Sequence, residues 1–416
     1  MDINRAGDVV KYAIVFAFAA AATTLALPPG RYLEPLWSYS SMARLEWVAV
    51  ADDSAILATI GGEVRVFDPN AGPDGGVPVL SAAPGVRFAG SADGHLFLFD
   101  RWTVYALVPC APETWAWQFA MDAMPAGRPD DPEQLPGWNE VVAIAGGALV
   151  ATGDGRLLWL ASDDGRPRWE LKLGRWSAAR LLAQPEHAAV VWSESGGLSA
   201  ALLPVTTRVP EPTRVTLAGE APLWLGLTAD GLLFVTPERL TTWSWDGQRH
   251  DATPAIRPRR AAALTILEAG EPWLLLAVGT RPQALDARTG ALMWGTLGTG
   301  SPRLTIETLS CVRDELVAVN ALGPVVYEAA TGRTSAGCRR ATGRLVGWHL
   351  TDTQLHALYL SPGFTDPVGE LVSAPRGGGR TAAWTLVPTG SVRQVAWTGE
   401  LMLVLENHAL RAYRLP

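Results

Sequence analysis

Lysine is almost missing from this chain of 416 residues: it occurs only at Lys11 and Lys172, and arginine supplies the other basic side chains. A catalytic Schiff-base lysine therefore has almost no candidates. Cysteine is scarce too. Cys110, Cys311 and Cys338 cannot all pair within one chain, and no two of them are adjacent or closely spaced. Positive charge is outweighed, with a net charge of −7, which argues against a nucleic-acid partner that must be met with basic side chains. No Ser-His-Asp ordering, phosphate-cradling glycine loop or metal-protease motif occurs. What the chain does have is 48% hydrophobic residues, 42 Gly, 31 Pro, and 18 Trp against 9 Phe. That is the composition of a large core joined by many turns.

Residues 284 to 294 read Ala-Leu-Asp-Ala-Arg-Thr-Gly-Ala-Leu-Met-Trp, and weaker copies recur along the sequence. The full pattern is an acid closing a strand, a Gly four residues later and a Trp four further on: Asp286, Gly290, Trp294. Asp68 with Gly72 repeats the first pair, Glu328 with Gly332 repeats it with Glu for Asp, and Gly165 with Trp169 repeats the second. The carboxylate can accept the N–H groups of the turn, Gly supplies its positive φ, and Trp begins the next strand with a large apolar face for a neighbouring unit. Trp384 stands at a similar outer-strand start. Between copies, short apolar runs split by Gly, Asp and Pro give four strands in roughly 40 residues, the cue for a propeller blade. First strands are predicted near Leu45, Val86, Val141, Leu181, Leu223, Leu264, Leu304, Leu345 and Val392. The expectation is an all-β, single closed β-propeller of nine four-stranded blades, with eight as the alternative. The last unit has three strands, and residues 34 to 40, with Trp37, supply the fourth from the other end of the chain.

The motif of residues 284 to 294 resembles the pyrroloquinoline-quinone-like repeat, over roughly residues 34 to 416. That resemblance implies either a quinoprotein dehydrogenase or a non-enzymatic propeller of the kind represented by the lipoprotein of the outer-membrane barrel assembly machinery. The enzymes of that family use a vicinal Cys-Cys pair against the cofactor and acidic residues holding calcium. The Cys pair is absent here. Ala161 replaces the acid in the unit of Trp169, and Ala336 replaces the Trp in the unit of Glu328. The resemblance thus favours the non-enzymatic branch, with no cofactor, and a divergent quinone-dependent dehydrogenase or a small-ligand-binding propeller as the alternative.

Residues 12 to 27 are uncharged, follow Lys11 and end at Pro28-Pro29-Gly30. A run of sixteen suits the core of a signal peptide better than a spanning helix of about 20 residues. Yet Asp2 and Asp8 precede it, and the best cleavage site, Thr24-Leu25-Ala26, is imperfect. Residues 1 to 30 are read as a signal peptide or an N-terminal membrane anchor, and residues 31 to 416 as the propeller. Either outcome makes the propeller periplasmic or otherwise extracytoplasmic, with partners among other proteins of an envelope complex.

A few constellations could carry chemistry. A two-residue turn at Asp352-Thr353 sets His349 and His356 opposite each other on adjacent strands, a start toward a metal site whose further ligands the neighbours do not supply. The stretch from Asp68 to Gly75 alternates oxygen donors, but Pro73 and Val79 occupy the positions where a calcium loop needs Gly and Glu. Cys311 and Cys338 fall near the first and fourth strands of one unit, on the order of 14 Å apart at about 4.8 Å per strand, beyond disulfide reach. Arg257, Arg259 and Arg260 form a basic cluster on a connection between blades. The longest insertion, residues 122 to 138, carries Asp130 and Asp131; a loop of this length inside a compact repeat is a candidate docking element.

Overall fold

The computed structural model describes residues 31–416 except 52, 74–76, 110, 121–137, 175–178, 195–196, 207, 218–221, 258–263, 269–271, 279–280, 296–305, 313–314, 339–342 and 362–367. Among the described residues there are strands and turns but no α-helix. The strands form nine sheets. Counted in chain order, their first strands are Leu45–Ala51, Arg87–Ala92, Trp138–Ile144, Ala179–Ala183, Trp224–Thr228, Leu264–Glu268, Ile306–Val312, Arg344–Leu350 and Val392–Thr398.

Seven sheets are four-stranded antiparallel meanders in which consecutive strands pair, and the eighth and ninth are such meanders of four and three strands with one strand added from residues 31 to 40. The second strands are mostly apolar, and in Gly147–Thr152 and Leu401–Glu406 every residue is buried. A run of this kind is what a strand covered on both faces requires. Fourth strands alternate instead, as in Pro167–Lys172, where Trp169 is buried and its neighbours are exposed. First strands carry small residues where neighbours approach: a Cβ on Gly90 would lie 2.9 Å from that of Ala143 in the next sheet. In six sheets the ladder between first and second strands slips by one residue, for instance between Leu45 and Trp47 and between Val392 and Gln394. Such a bulge bends and twists the strand.

The core is a series of clusters between sheets. One joins the first sheet to the second through Ile56, Val64, Leu96 and Leu98, and the series continues sheet by sheet. A further cluster packs Leu45, Leu57 and Phe67 of the first sheet against Leu403, Leu405 and Leu410 of the last.

Both chain ends meet in the ninth sheet. Trp37–Ser40 pairs antiparallel with the final strand, Trp37 opposite Ala412 and Ser40 opposite Ala409. The strand is shorter than the 34 to 40 expected from sequence, because Pro35 has no N–H for a ladder. The preceding residues do something the sequence did not suggest. Arg31–Tyr32 adds a fifth, parallel strand to the eighth sheet, with Arg31 opposite Trp384 and Tyr32 opposite Thr385.

Candidate functional site

The repeat residues build one joint. Asp286 Oδ1 accepts the N–H groups of Arg288 and Thr289 at 2.7 and 3.1 Å, and Gly290 donates to Asp286 O at 2.8 Å. Asp68 accepts from Asn70 in the same way, and Gly72, Gly165 and Gly332 donate to Asp68 O, Ala161 O and Glu328 O. The indole of one unit then reaches the turn of the next. Trp37 Nε1 donates to Pro69 O at 2.9 Å, Trp117 to Ser162 O at 2.8 Å, Trp169 to Thr206 O at 3.0 Å and Trp294 to Ala329 O at 2.6 Å. Gly72, Gly165 and Gly332 lie beneath the rings of Trp37, Trp117 and Trp294. At Gly332, with φ +68°, a Cβ would sit 2.4 Å from the Trp294 ring. Gly332→Ala is accordingly expected to cost about 1–3 kcal/mol from backbone strain alone, more with the clash, read as a fall in the urea midpoint; an unchanged midpoint would refute this account of the joint.

Trp117 was not foreseen, because no acid or glycine stands at the repeat spacing before it. Trp384, by contrast, lies in the fourth strand of the eighth sheet, half-buried, between Leu371 and Arg31.

Polar side chains on first strands are engaged with the backbone of the next sheet. Gln394 receives the N–H of Val48 at 3.1 Å and donates to its carbonyl at 2.8 Å, linking the last sheet to the first. Arg393 donates to Leu45 O, and Glu140 accepts the N–H of Leu181. A second belt joins hairpin turns: Arg288 to Asp230 at 2.6 Å, Arg376 to Glu315 at 2.8 Å, and His187 stacked on Trp245 at 4.2 Å. Buried Glu406 accepts from the Thr389 hydroxyl at 2.9 Å and has Arg411 at 3.4 Å as an ion pair outside hydrogen-bond geometry. Sequence offered no sign of these partners, most of which are far apart along the chain.

His349 and His356 are directly opposite, as their hairpin spacing required. They line a cavity of about 570 Å³ with Thr351, Asp352, Gln354 and Glu400. His349 stacks on Trp397 of the next sheet at 5.6 Å and 6°, while buried His356 has Ser373 Oγ 2.7 Å from Nδ1. Burial holds both imidazoles below their ordinary range, His356 down to about 4, with the neighbouring His349 adding to the effect. Both are neutral at physiological pH. Among the described residues no three His, Cys, Asp or Glu side chains gather as a metal cluster. The arrangement can take a hydrogen-bonding ligand beside the imidazoles; among the described residues it does not present a nucleophile with a base.

Cys311 is half-buried and Cys338 buried, and no disulfide joins them. Cys338 is buried against the carbonyls of Leu355 and Val372, and burial pushes its thiol up to about 12, so it is not a reactive thiolate. Asp68 is used by its own turn, with Asn70 Nδ2 also on Oδ1 at 3.1 Å. Arg257 is exposed, 3.8 Å from Glu238. Arg259, Arg260, Asp130, Asp131, Cys110 and the segment 12 to 27 lie outside the described residues.

Repeated four-stranded antiparallel meanders, packed sheet against sheet with the first strands next to one another, define a β-propeller. The solved structures similar to it include BamB from Moraxella catarrhalis, 14% identical with TM-score 0.46, covering 92% of this chain and 100% of that one. They also include the computationally designed Ika8 protein, at 10% and 0.47, covering 93% and 100%. A third is the C-terminal WD40 domain of Sif2, at 8% and 0.49, covering 93% and 99%. No protein-family profile and no curated protein matches the sequence.

Proposed function

We propose that the protein is a non-catalytic scaffold: nine blades closed in one ring by Trp37–Ser40, exported and then either released or held at a membrane by residues 1 to 30, with its loops holding other proteins of an envelope complex. One observation carries the reading. Three polar side chains of first strands, Gln394, Arg393 and Glu140, are engaged with neighbouring backbones, which favours recognition by the turns and insertions at the two faces. The cluster and the Gln394 bonds that join the last sheet to the first support closure.

Affinity capture of the tagged protein from its native membrane tests this directly. A stoichiometric protein partner is expected. Replacing Asp130 and Asp131 with Ala should weaken its capture while changing stability by no more than roughly 0.5 kcal/mol, the range of surface substitutions. A stoichiometric bound chromophore with no protein partner would instead favour a quinone enzyme. The second reading, a small-ligand-binding propeller, is favoured by the cavity at His349 and His356. Calorimetry with ligands that stabilise the protein on heating distinguishes it.

A further inference from the structure

We propose that the perimeter where the eighth and ninth sheets meet is a lipid-facing surface, and that the ring stands edge-on to an anionic bilayer through it. The inference rests on the membrane-anchored form of the function proposed above.

The uncharged run ends at Leu27, and only Pro28, Pro29 and Gly30 separate it from Arg31. The four steps from Leu27 to Arg31 span at most about 14 Å. Arg31 is already fixed, because it pairs with Trp384 at the outer edge of the eighth sheet. An anchor retained in the bilayer therefore holds this edge within about 14 Å of the membrane interface, whatever the rest of the ring does.

The edge has the chemistry of that interface. Tyr32 and Val387 are 45% exposed and Leu36 is 46% exposed. Tyr32 lies opposite Thr385, two residues from Val387. Leu36 donates its N–H to Ala412 O at 2.7 Å, two residues from exposed Arg414. Leu33 plugs the same stretch into the core between the two sheets, together with Leu415, so the surface is rigidly mounted. Arg31 is exposed at its start, and Glu34 is the one carboxylate between residues 31 and 36. An aromatic, two aliphatic side chains and two arginines beside an apolar anchor match the headgroup region of an anionic leaflet, although the chain as a whole carries −7.

The test places p-benzoylphenylalanine singly at position 32, 36 or 387, and at exposed Val209 and Ile60 as controls, in the full chain reconstituted into phosphatidylethanolamine vesicles containing phosphatidylglycerol. Lipid adducts are measured by mass spectrometry after illumination, and carbonate extraction reports the anchor separately. The expected result is a carbonate-resistant protein with roughly tenfold more lipid adduct at 32, 36 and 387 than at the controls, as befits side chains held at headgroup level. Arg31→Glu with Arg414→Glu should reduce those adducts in anionic vesicles and leave them unchanged in phosphatidylcholine alone. A carbonate-resistant protein with equal or no adducts at the five positions overturns the proposal and leaves the anchor standing. Extraction by carbonate with adducts still confined to 32, 36 and 387 supports the lipid-facing surface and rejects the anchor; extraction without adducts rejects both.

Discussion

Trp169→Ala is expected to cost about 3–5 kcal/mol, the range for truncating a buried tryptophan, and to lower the urea midpoint more than any exposed substitution. The indole is 3% exposed, lies edge-to-face with Trp159 at 5.9 Å and donates to Thr206 O in the next sheet. Its removal opens a cavity in the cluster that binds the third sheet to the fourth and leaves a turn carbonyl without its donor. Trp294→Ala should behave alike but more mildly, since Trp294 is only half-buried. Neither change should selectively remove partner capture at temperatures where the fold persists. If Trp169→Ala leaves the midpoint unmoved, the indole is not a stapling group and the sheets are held by their aliphatic clusters alone.

Acid should weaken the protein through His356 between about pH 6.5 and 4. Its folded-state pKa is lowered to about 4, whereas an unfolded chain protonates the same group near its ordinary value of about 6.5. The unfolded state therefore binds the proton first. The stability held by the neutral buried imidazole is complete above about pH 6.5 and is lost as pH falls toward 4, after which this contribution levels off. The shift corresponds to about 3 kcal/mol. The groups facing His356 are His349, Ser373 and, across the cavity, Asp352 and Glu400. Carboxylates titrate in part of the same window, so the informative quantity is the difference between wild type and His356→Leu in urea midpoints measured from about pH 7 to about pH 4.5. The variant should show a much flatter decline. Parallel declines would mean that the buried imidazole contributes nothing to acid sensitivity.

The joint was legible in sequence where its chemistry is local. An acid, a glycine four residues on and a tryptophan four further give the turn, its positive φ and the staple, as at Asp286, Gly290 and Trp294, because every atom needed for the turn lies within it. The opposition of His349 and His356 was readable for the same reason: a two-residue turn fixes register. Contacts set by the third dimension were not readable. Gln394 meets Val48 across the whole length of the chain, and a lone Gln in an apolar strand carries no periodic mark. The pairing of Arg31–Tyr32 with the eighth sheet was equally silent, since two residues are too few for a β pattern and the partner strand follows some 350 positions later. Trp117 docks on Gly165 although its own unit lacks the acid and glycine. The motif describes where a staple is convenient, and packing decides where one is used.

The joints are consequently unequal. Among the described residues an indole N–H reaches a backbone carbonyl across five of them, through Trp37, Trp117, Trp169, Trp294 and, between the first and second sheets, Trp47 and Trp115. On either side of the fifth sheet the corresponding place is held by threonine: Thr213 faces Gly247, and the Thr253 carbonyl faces Gly290. What compensates is solvent-reachable, a His187–Trp245 stack on one side and the half-exposed Arg288–Asp230 pair on the other. A threonine offers far less apolar surface than an indole, and an ion pair at the surface contributes little once salt screens it. The Arg288–Asp230 contact therefore weakens with added salt while the indole staples do not, and the fifth sheet leans on its apolar clusters, through Leu225 and Phe234 on one side and Leu240 and Leu285 on the other.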